Sequence, residues 1–315
     1  MVGITRIATY VPRRRLDRAV VGQTWGTRVA PGRRSVAGLD EDPLTMAVDA
    51  VLACLDDADP AGFDALYFAS TSSPYLEKQV ASVVATATDL PRATAVADFC
   101  GSVRAGVAAL RTALDGVRGG SLRDALVAAA DARLAEPESE LEPLLGDGAA
   151  AVAVGRDGVI AELISSASVA EEFTYFWRTD EQRTVQVAEP RFGASYGYAR
   201  DVAEAVTAAL RKAELPPASV AGLAPSSSAP RTRCAPAGRA RLPIASHMPC
   251  RCPRTGASSR RGASCRPRRR ASRSPASSSG RSSRRTFGFT AAAARPAGSC
   301  SIPRRASASA ARRAT

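Results

Sequence analysis

The chain has 315 residues and a formal net charge of +13, but the charge is unevenly placed. From Ala224 to Thr315 there are 21 Arg and no Lys, Asp or Glu, so residues 1–223 carry 22 basic against 30 acidic side chains, a net charge of −8. The front segment is long enough to bury a sizeable core and too acidic to coat nucleic acid. No apolar run is long enough to span a bilayer, and "MVGITRIATYVPRRR" is too charged for a secretory leader. These features predict a cytoplasmic chain with reduced thiols and no membrane partner.

In chain order, "GITRIATYVP" (3–12) predicts a strand. "DPLTMAVDAVLACLDDA" predicts a helix with Asp42 as N-cap, Pro43 in the first turn and Leu44, Val48, Val51 and Leu55 on one face. "FDALYFAS" (63–70) is strand-like, and "SPYLEKQVASVVATATDL" (73–90) predicts a helix begun by Ser73 and Pro74. A short strand over 93–99 runs into "CGSVRAGVAALRTALDGVRGG", whose Val103, Val107, Leu110, Leu114 and Val117 form a helical stripe stopped by Gly119 and Gly120. Strands follow at 124–133, 146–155 and 158–169. A final helix spans 199–215, with Asp201 and Glu204 spaced as an acidic capping box. Alternation of this kind predicts a layered α/β fold.

The tail differs in kind. From residue 224 on there is no valine, and only Leu242, Ile244, Met248, Phe287, Phe289 and Ile302 remain as larger apolar residues, too few to offset the entropy of ordering. A disordered basic tail is therefore expected over 224–315. Its stretch "TGASSRRGASCRPRRRASRSPASSSGRSSRR" lacks Lys, Gln, Asn, Asp and Glu, and consists of residues with G- and C-rich codons. That composition fits a GC-rich gene read in a shifted frame better than a designed arginine-rich arm. His247, Cys250, Cys252 and Cys265 sit close together there, but their spacing matches no zinc finger or ribbon, so no metal is expected.

Two cysteines lie in the front segment. Cys54 ends an ordinary helical stripe and is read as a small buried apolar residue. Cys100 stands where a strand gives way to a helix, a position that would favour the thiolate through the positive end of the helix dipole. Position alone leaves Cys100 equally readable as a buried, inert thiol.

"ADFCGSVRAGVAAL" followed some forty residues later by "LLGDGAAAVAVG" resembles the thiolase-fold condensing enzymes. The phrases "DEDPLTMAVDA", "SSPYLEKQVASVVATATDL" and "FTYFWRTDEQRTVQVAEPRFGASYGYARDV" are similar to the archaeal and bacterial hydroxymethylglutaryl-CoA synthases, and the likeness runs over residues 3–223. The resemblance implies a five-layered αβαβα sandwich, with residues 1–155 as its N-terminal half and 156–223 as the start of the C-terminal half. It implies that Cys100 is the acyl-accepting nucleophile, that Gly146 to Ala149 is a turn close to the site, and that CoA thioesters are substrates without any cofactor. An intact relative is expected to be a homodimer.

Two departures accompany the likeness. The family's general-base glutamate sits in a Gly-Ser-Glu-Ser run where this chain has "ASTSSPY", placing Thr71 at the acid's position, and a hydroxyl cannot serve as such a base near neutrality. Glu77 lies one turn further along the predicted helix and reads as a solvated helix residue. The family's active-site histidine and asparagine come from beyond residue 223, where the sole histidine of this chain is His247. The implied chemistry is acylation of Cys100 by an acyl-CoA, then a Claisen-type condensation with the oxyanion held by backbone N–H groups. The chain itself is expected to be truncated and inactive. The alternatives are a 3-oxoacyl-(acyl-carrier-protein) synthase III-like enzyme and an arginine-rich nucleic-acid-binding protein. The second is disfavoured by the acidic front segment and by the lack of aromatic interleaving in the tail. The pair Arg33 and Arg34 reads as a solvated loop.

Overall fold

The computed structural model describes residues 1–189, 193–220, 222, 285–287 and 291–294. Its main sheet contains β1 (Gly3–Tyr10), β4 (Phe63–Ala69), β5 (Ala95–Phe99), β6 (Asp124–Asp131), β8 (Gly148–Gly155), β9 (Ala161–Ser165), β12 (Arg285–Phe287) and β13 (Ala291–Ala294). In space the order is β12-β13-β9-β1-β8-β6-β4-β5. β5, β4 and β6 run parallel, whereas β8 is antiparallel to both β6 and β1.

The central strands are apolar on both faces because helices cover both. Leu66 and Phe68 of β4, Leu126 and Ala128 of β6 and Ala151 of β8 meet α2 (Pro43–Leu55) and α3 (Val80–Ala87). The alternate residues Ala65, Ala69, Ala125, Val127 and Val154 meet α4 (Ala105–Gly119). Double burial is why these strands read as continuous apolar runs instead of alternating ones. The α4 face is built small on small, with Ala105, Ala109 and Ala113 packed against alanines of the sheet. A methyl added at Gly106 would touch the Ala129 methyl at 3.6 Å, so helix and sheet are already in near contact.

Several local predictions hold in detail. Asp42 accepts the Thr45 N–H at 2.8 Å while Thr45 Oγ1 accepts the Asp42 N–H at 2.8 Å, a reciprocal capping box ahead of Pro43. Gly120, at φ +79°, ends α4 in the left-handed region that glycine adopts without strain.

Three helix starts differ from the sequence expectation. The helix expected from Ser73 begins only at Val80, because Asp98 of β5 accepts the N–H groups of Val80 and Ala81 at 2.6 and 2.8 Å and so caps it from across the sheet. Residues 72–79 are left as irregular chain. The helix expected from Cys100 starts at Ala105, after a turn in which Gly101 takes φ +78° and the Ser102 carbonyl accepts the Ala105 N–H. The acidic capping box at 199–215 does not form. α5 (Ala199–Lys212) continues directly from a wide π-helical turn, Gly193–Tyr198, and Asp201 pairs instead with Arg200.

Smaller elements carry no clear signature in the sequence. β2 (Arg14–Asp17) and β3 (Arg33–Val36) form an antiparallel ribbon around α1 (Arg18–Trp25). β7 (Leu134–Ala135), β10 (Phe176–Trp177) and β11 (Thr184–Val187) make a separate three-stranded sheet with Leu141, Leu145 and Val185 at its core. The division expected at residue 155 falls between β8 and β9, both of which pair with β1 in one sheet. Beyond residue 223 only two short segments are described, of 3 and 4 residues. β12 pairs antiparallel with β13, and β13 pairs antiparallel with β9. The open edge of β9 offers unpaired backbone groups, and pairing with them makes no demand on large side chains. Among the described residues, no helix is long and apolar enough to cross a membrane.

Leu126 is fully buried and Leu39 is 98% exposed. Leu126→Ala is expected to lower the unfolding free energy by about 2–5 kcal/mol and Leu39→Ala to change it by less than about 0.5 kcal/mol. Urea denaturation of the two variants checks this; equal midpoints would contradict the packing described.

Candidate active site

The parallel strands β4, β5 and β6 end side by side, and Ser70, Cys100 and Asp131 stand at those ends. Crevices at the carboxyl ends of parallel strands are where α/β folds commonly bind ligands. Asp131 organises this end of the sheet. Its Oδ1 accepts Ser70 Oγ at 3.1 Å, the Thr71 N–H at 2.8 Å, Thr71 Oγ1 at 3.0 Å and Ser72 Oγ at 2.9 Å. Ser72 Oγ in turn accepts the Ala132 N–H at 2.9 Å, and the Ser70 N–H donates to the Phe99 carbonyl at 3.1 Å. The turns after β4 and β6 are thereby tied together beside the end of β5.

Cys100 is exposed, directly after β5. It opens into a cleft of ≈ 470 Å³ lined also by Ser73, Tyr75, Leu76, Glu77, Lys78 and Asp98. The cleft exists because α3 starts late: the irregular chain before Val80 forms its wall. Lys78 places its ammonium 4.9 Å from the centre of the Tyr75 ring, a cation–π contact at that wall.

The electrostatics of Cys100 correct the helix-dipole expectation. Its thiol is pushed up from the ordinary cysteine value, first by partial desolvation against the cleft and then by the negative charges of Asp98 and Asp131. Four residues separate it from the first residue of α4, so the turn at 101–104 intervenes between the sulfur and the N–H groups that would favour a thiolate. Cys54 is buried, as expected, and burial likewise raises its thiol.

Thr71, at the position of the family's acid, is turned into the Asp131 cluster and its carbonyl accepts Arg178 Nη2 at 3.0 Å. Glu77 is solvent-exposed as expected, but it lies in the irregular wall and shares the cleft with Cys100. The Gly146–Ala149 turn joins this region through the sheet: Gly148 pairs with Asp131, and the Asp147 carboxylate accepts the Ala37 N–H at 2.7 Å. Burial raises the Asp147 carboxyl despite that bond. Arg34 is part of β3, where it donates to the Leu145 carbonyl at 2.9 Å. His247 and the tail cysteines lie outside the described residues, and among the described residues no group of three metal-ligating side chains assembles.

The cluster at Asp131 and the loop wall at 72–79 were missed by sequence reasoning. The clue was present: three consecutive hydroxyl residues, Ser70 to Ser72, just past a buried strand need a shared acceptor.

No family model matches the chain. Among curated proteins it is similar to the hydroxymethylglutaryl-CoA synthase of Picrophilus torridus, 32% identical over 211 residues (64% of this chain, 60% of that protein). It is 30% identical over 226 residues to that of Thermoplasma volcanium (69% and 64%), and 34% identical over 186 residues to that of Thermococcus onnurineus (58% and 53%). The chain thus spans less than two thirds of the length of these relatives. Among solved structures, it superposes on MvaS in complex with 3-hydroxy-3-methylglutaryl coenzyme A with a TM-score of 0.64 at 22% identity, covering 71% of this chain and 58% of that one. For HMG-CoA synthase complexed with CoA the TM-score is 0.66 at 19% identity, over 70% and 59%. For the 3-oxoacyl-(acyl-carrier-protein) synthase III of Aquifex aeolicus it is 0.62 at 20% identity, over 71% and 75%. The chain has the fold of the thiolase-like condensing enzymes. In sequence it is similar to hydroxymethylglutaryl-CoA synthases over part of their length.

With an exposed Cys100 and a buried Cys54, iodoacetamide is expected to label Cys100 first, as peptide mapping would show. Because the Cys100 thiol is raised, its labelling rate should keep climbing as pH passes the ordinary cysteine range near ~8.5. A rate already at its plateau at neutral pH would contradict the electrostatics described.

Proposed function

We propose that this chain carries the acyl-accepting part of a hydroxymethylglutaryl-CoA synthase-type site, with Cys100 as the residue that takes an acyl group from a CoA thioester. The observation that carries the proposal is Cys100 open to a cleft at the carboxyl end of β5, beside the Asp131 cluster that joins β4 and β6. The cleft combines apolar surface from Leu76 and Tyr75 with the Lys78 ammonium, a pairing suited to a substrate with an apolar thioester arm and an anionic end. The relatives named as hydroxymethylglutaryl-CoA synthases and the solved complexes with CoA and 3-hydroxy-3-methylglutaryl coenzyme A support the substrate class. No cofactor is required.

In the acylation step the Cys100 thiol gives up its proton, Sγ attacks the thioester carbonyl, the tetrahedral intermediate collapses, and CoA leaves as a thiol carrying a proton. The raised thiol makes loss of that first proton the demanding part near neutrality. Condensation then needs a base and the groups supplied in the family by its second half. Thr71 is no base, and residues 224–315 have the composition of a shifted reading frame. Residues 1–155 therefore act as the N-terminal half, 156–223 begin the other, and the chain stops short of full synthase turnover. An intact relative would be a homodimer. The solved structures do not separate this reading from a 3-oxoacyl-(acyl-carrier-protein) synthase III-like one, since both kinds fit with similar TM-scores. The curated sequence relatives favour the former.

Incubation with acetyl-CoA followed by mass spectrometry of the peptides is expected to find one acetyl group on Cys100, none on Cys54, and none after Cys100→Ser. Release of 3-hydroxy-3-methylglutaryl-CoA from acetyl-CoA and acetoacetyl-CoA should stay at background. Unmodified Cys100 would remove the acyl-enzyme reading, and turnover at an ordinary enzymatic rate of ~1–1000 per second would remove the inactivity reading.

A further inference from the structure

We infer that Asp98 is a positioning residue of the Cys100 site: it holds residues 73–79 out of the helix their sequence encodes and so makes the cleft. The inference rests on the reading of Cys100 given above. Two N–H groups decide where α3 begins. A helix begun at Ser73 would send the Val80 N–H to the Leu76 carbonyl and the Ala81 N–H to the Glu77 carbonyl, each four residues back. Both go to Asp98 instead, Val80 to Oδ2 at 2.6 Å and Ala81 to Oδ1 at 2.8 Å. The same donors cannot serve both sets of acceptors, so the two arrangements exclude each other.

Within the segment the helical signals are strong. Ser73 and Pro74 supply a start, and Tyr75, Leu76, Glu77, Lys78 and Gln79 follow with no glycine and no β-branched residue among them. Gln79, the last residue before α3, is extended at φ −68° and ψ 108° and makes no side-chain cap of its own. What stops the helix there is the Asp98 carboxylate, since a charged acceptor holds an N–H more strongly than a carbonyl does. The gain is the cleft wall, because Tyr75, Leu76, Glu77, Lys78 and Gln79 all line the space beside Cys100. Gln79 Nε2 also donates to the Val96 carbonyl at 3.2 Å, so β5 carries the thiol, the cap and a tether for the wall.

The same carboxylate stands two positions before Cys100 and acts on it electrically. Desolvation raises the thiol first, and Asp98 and Asp131 then add their charge. Glu77 and Lys78 are the other charged groups of the cleft lining.

Asp98→Asn in the full chain tests both roles, because an asparagine side chain offers one acceptor oxygen to two donors. Amide hydrogen exchange at residues 77–79 is expected to slow by up to about 30-fold, the shift that loss of one helix cap brings. The pH midpoint of iodoacetamide labelling of Cys100 is expected to fall. Asp98→Glu keeps two oxygens and should return exchange at 77–79 and the midpoint towards the native values. Adding Val80→Pro to Asp98→Asn uncouples geometry from charge. Proline suits the first helical position, follows a Gln79 that is already extended, and bars a helix running through it. In that double variant 77–79 should exchange as in the native chain while the midpoint stays low. Exchange at 77–79 no slower in folded Asp98→Asn than in the native chain would overturn the positioning role. A midpoint equal in the native chain and the double variant would overturn the charge contribution. If melting curves show that Asp98→Asn does not fold, Val80→Pro alone decides: fast exchange at 77–79 with native labelling of Cys100 supports a wall made by a helix start at Val80, and altered labelling overturns it. Neither readout uses a thioester, so failure of acetyl-CoA to load Cys100 would count against the function proposed above and leave these outcomes to decide on Asp98.

Discussion

The constraint on which the rest of this structure depends is burial of β4, β6 and β8 on both faces. With α2 and α3 on one side and α4 on the other, the buried interior side chains of these strands are apolar and many are small. Polar chemistry is therefore expelled to the strand ends. Because β4, β5 and β6 are parallel neighbours, the same ends of all three open at one place, and Ser70, Cys100 and Asp131 arrive there together.

Two aspartates then shape that end in opposite senses. Asp131 draws the turns after β4 and β6 together through four hydrogen bonds to one oxygen. Asp98 delays a helix and leaves the chain before it as the wall of a cleft. Both also place negative charge near Cys100, which adds to desolvation in raising its thiol. On the proposal that Cys100 accepts the acyl group, the free chain thus holds that thiol accessible but raised above its ordinary value.

Much of this was legible in the sequence, since what depends on local chemistry can be read locally. The capping box at Asp42, the glycine stop of α4, the burial of Cys54 and the apolar strands at 63–70, 124–133 and 146–155 all follow from residue type and spacing. The phrases around Cys100 and Gly146 resembled the condensing enzymes for the same reason. What was not legible depends on partners distant along the chain. The start of α3 is set by an aspartate eighteen residues later, and that of α4 by a turn whose glycine and serine had been counted as helix. The thiol shift comes first from desolvation at the cleft and then from two carboxylates that only the sheet brings together, the opposite direction to the helix-dipole expectation. The β2–β3 ribbon is Arg-rich and mostly solvated, and its pattern resembled loop.

The central claim is that the carboxyl ends of β4, β5 and β6 form one site for an acyl-CoA thioester. Amide hydrogen exchange with and without acetyl-CoA, resolved by peptide, tests it most directly. Binding at this site is expected to slow exchange in peptides covering residues 71–80 and 97–106, and to leave those covering β1, β9 and α5 unchanged. Protection confined to the β2–β3 ribbon or to the small sheet of β7, β10 and β11, or none at saturating acetyl-CoA, would contradict it.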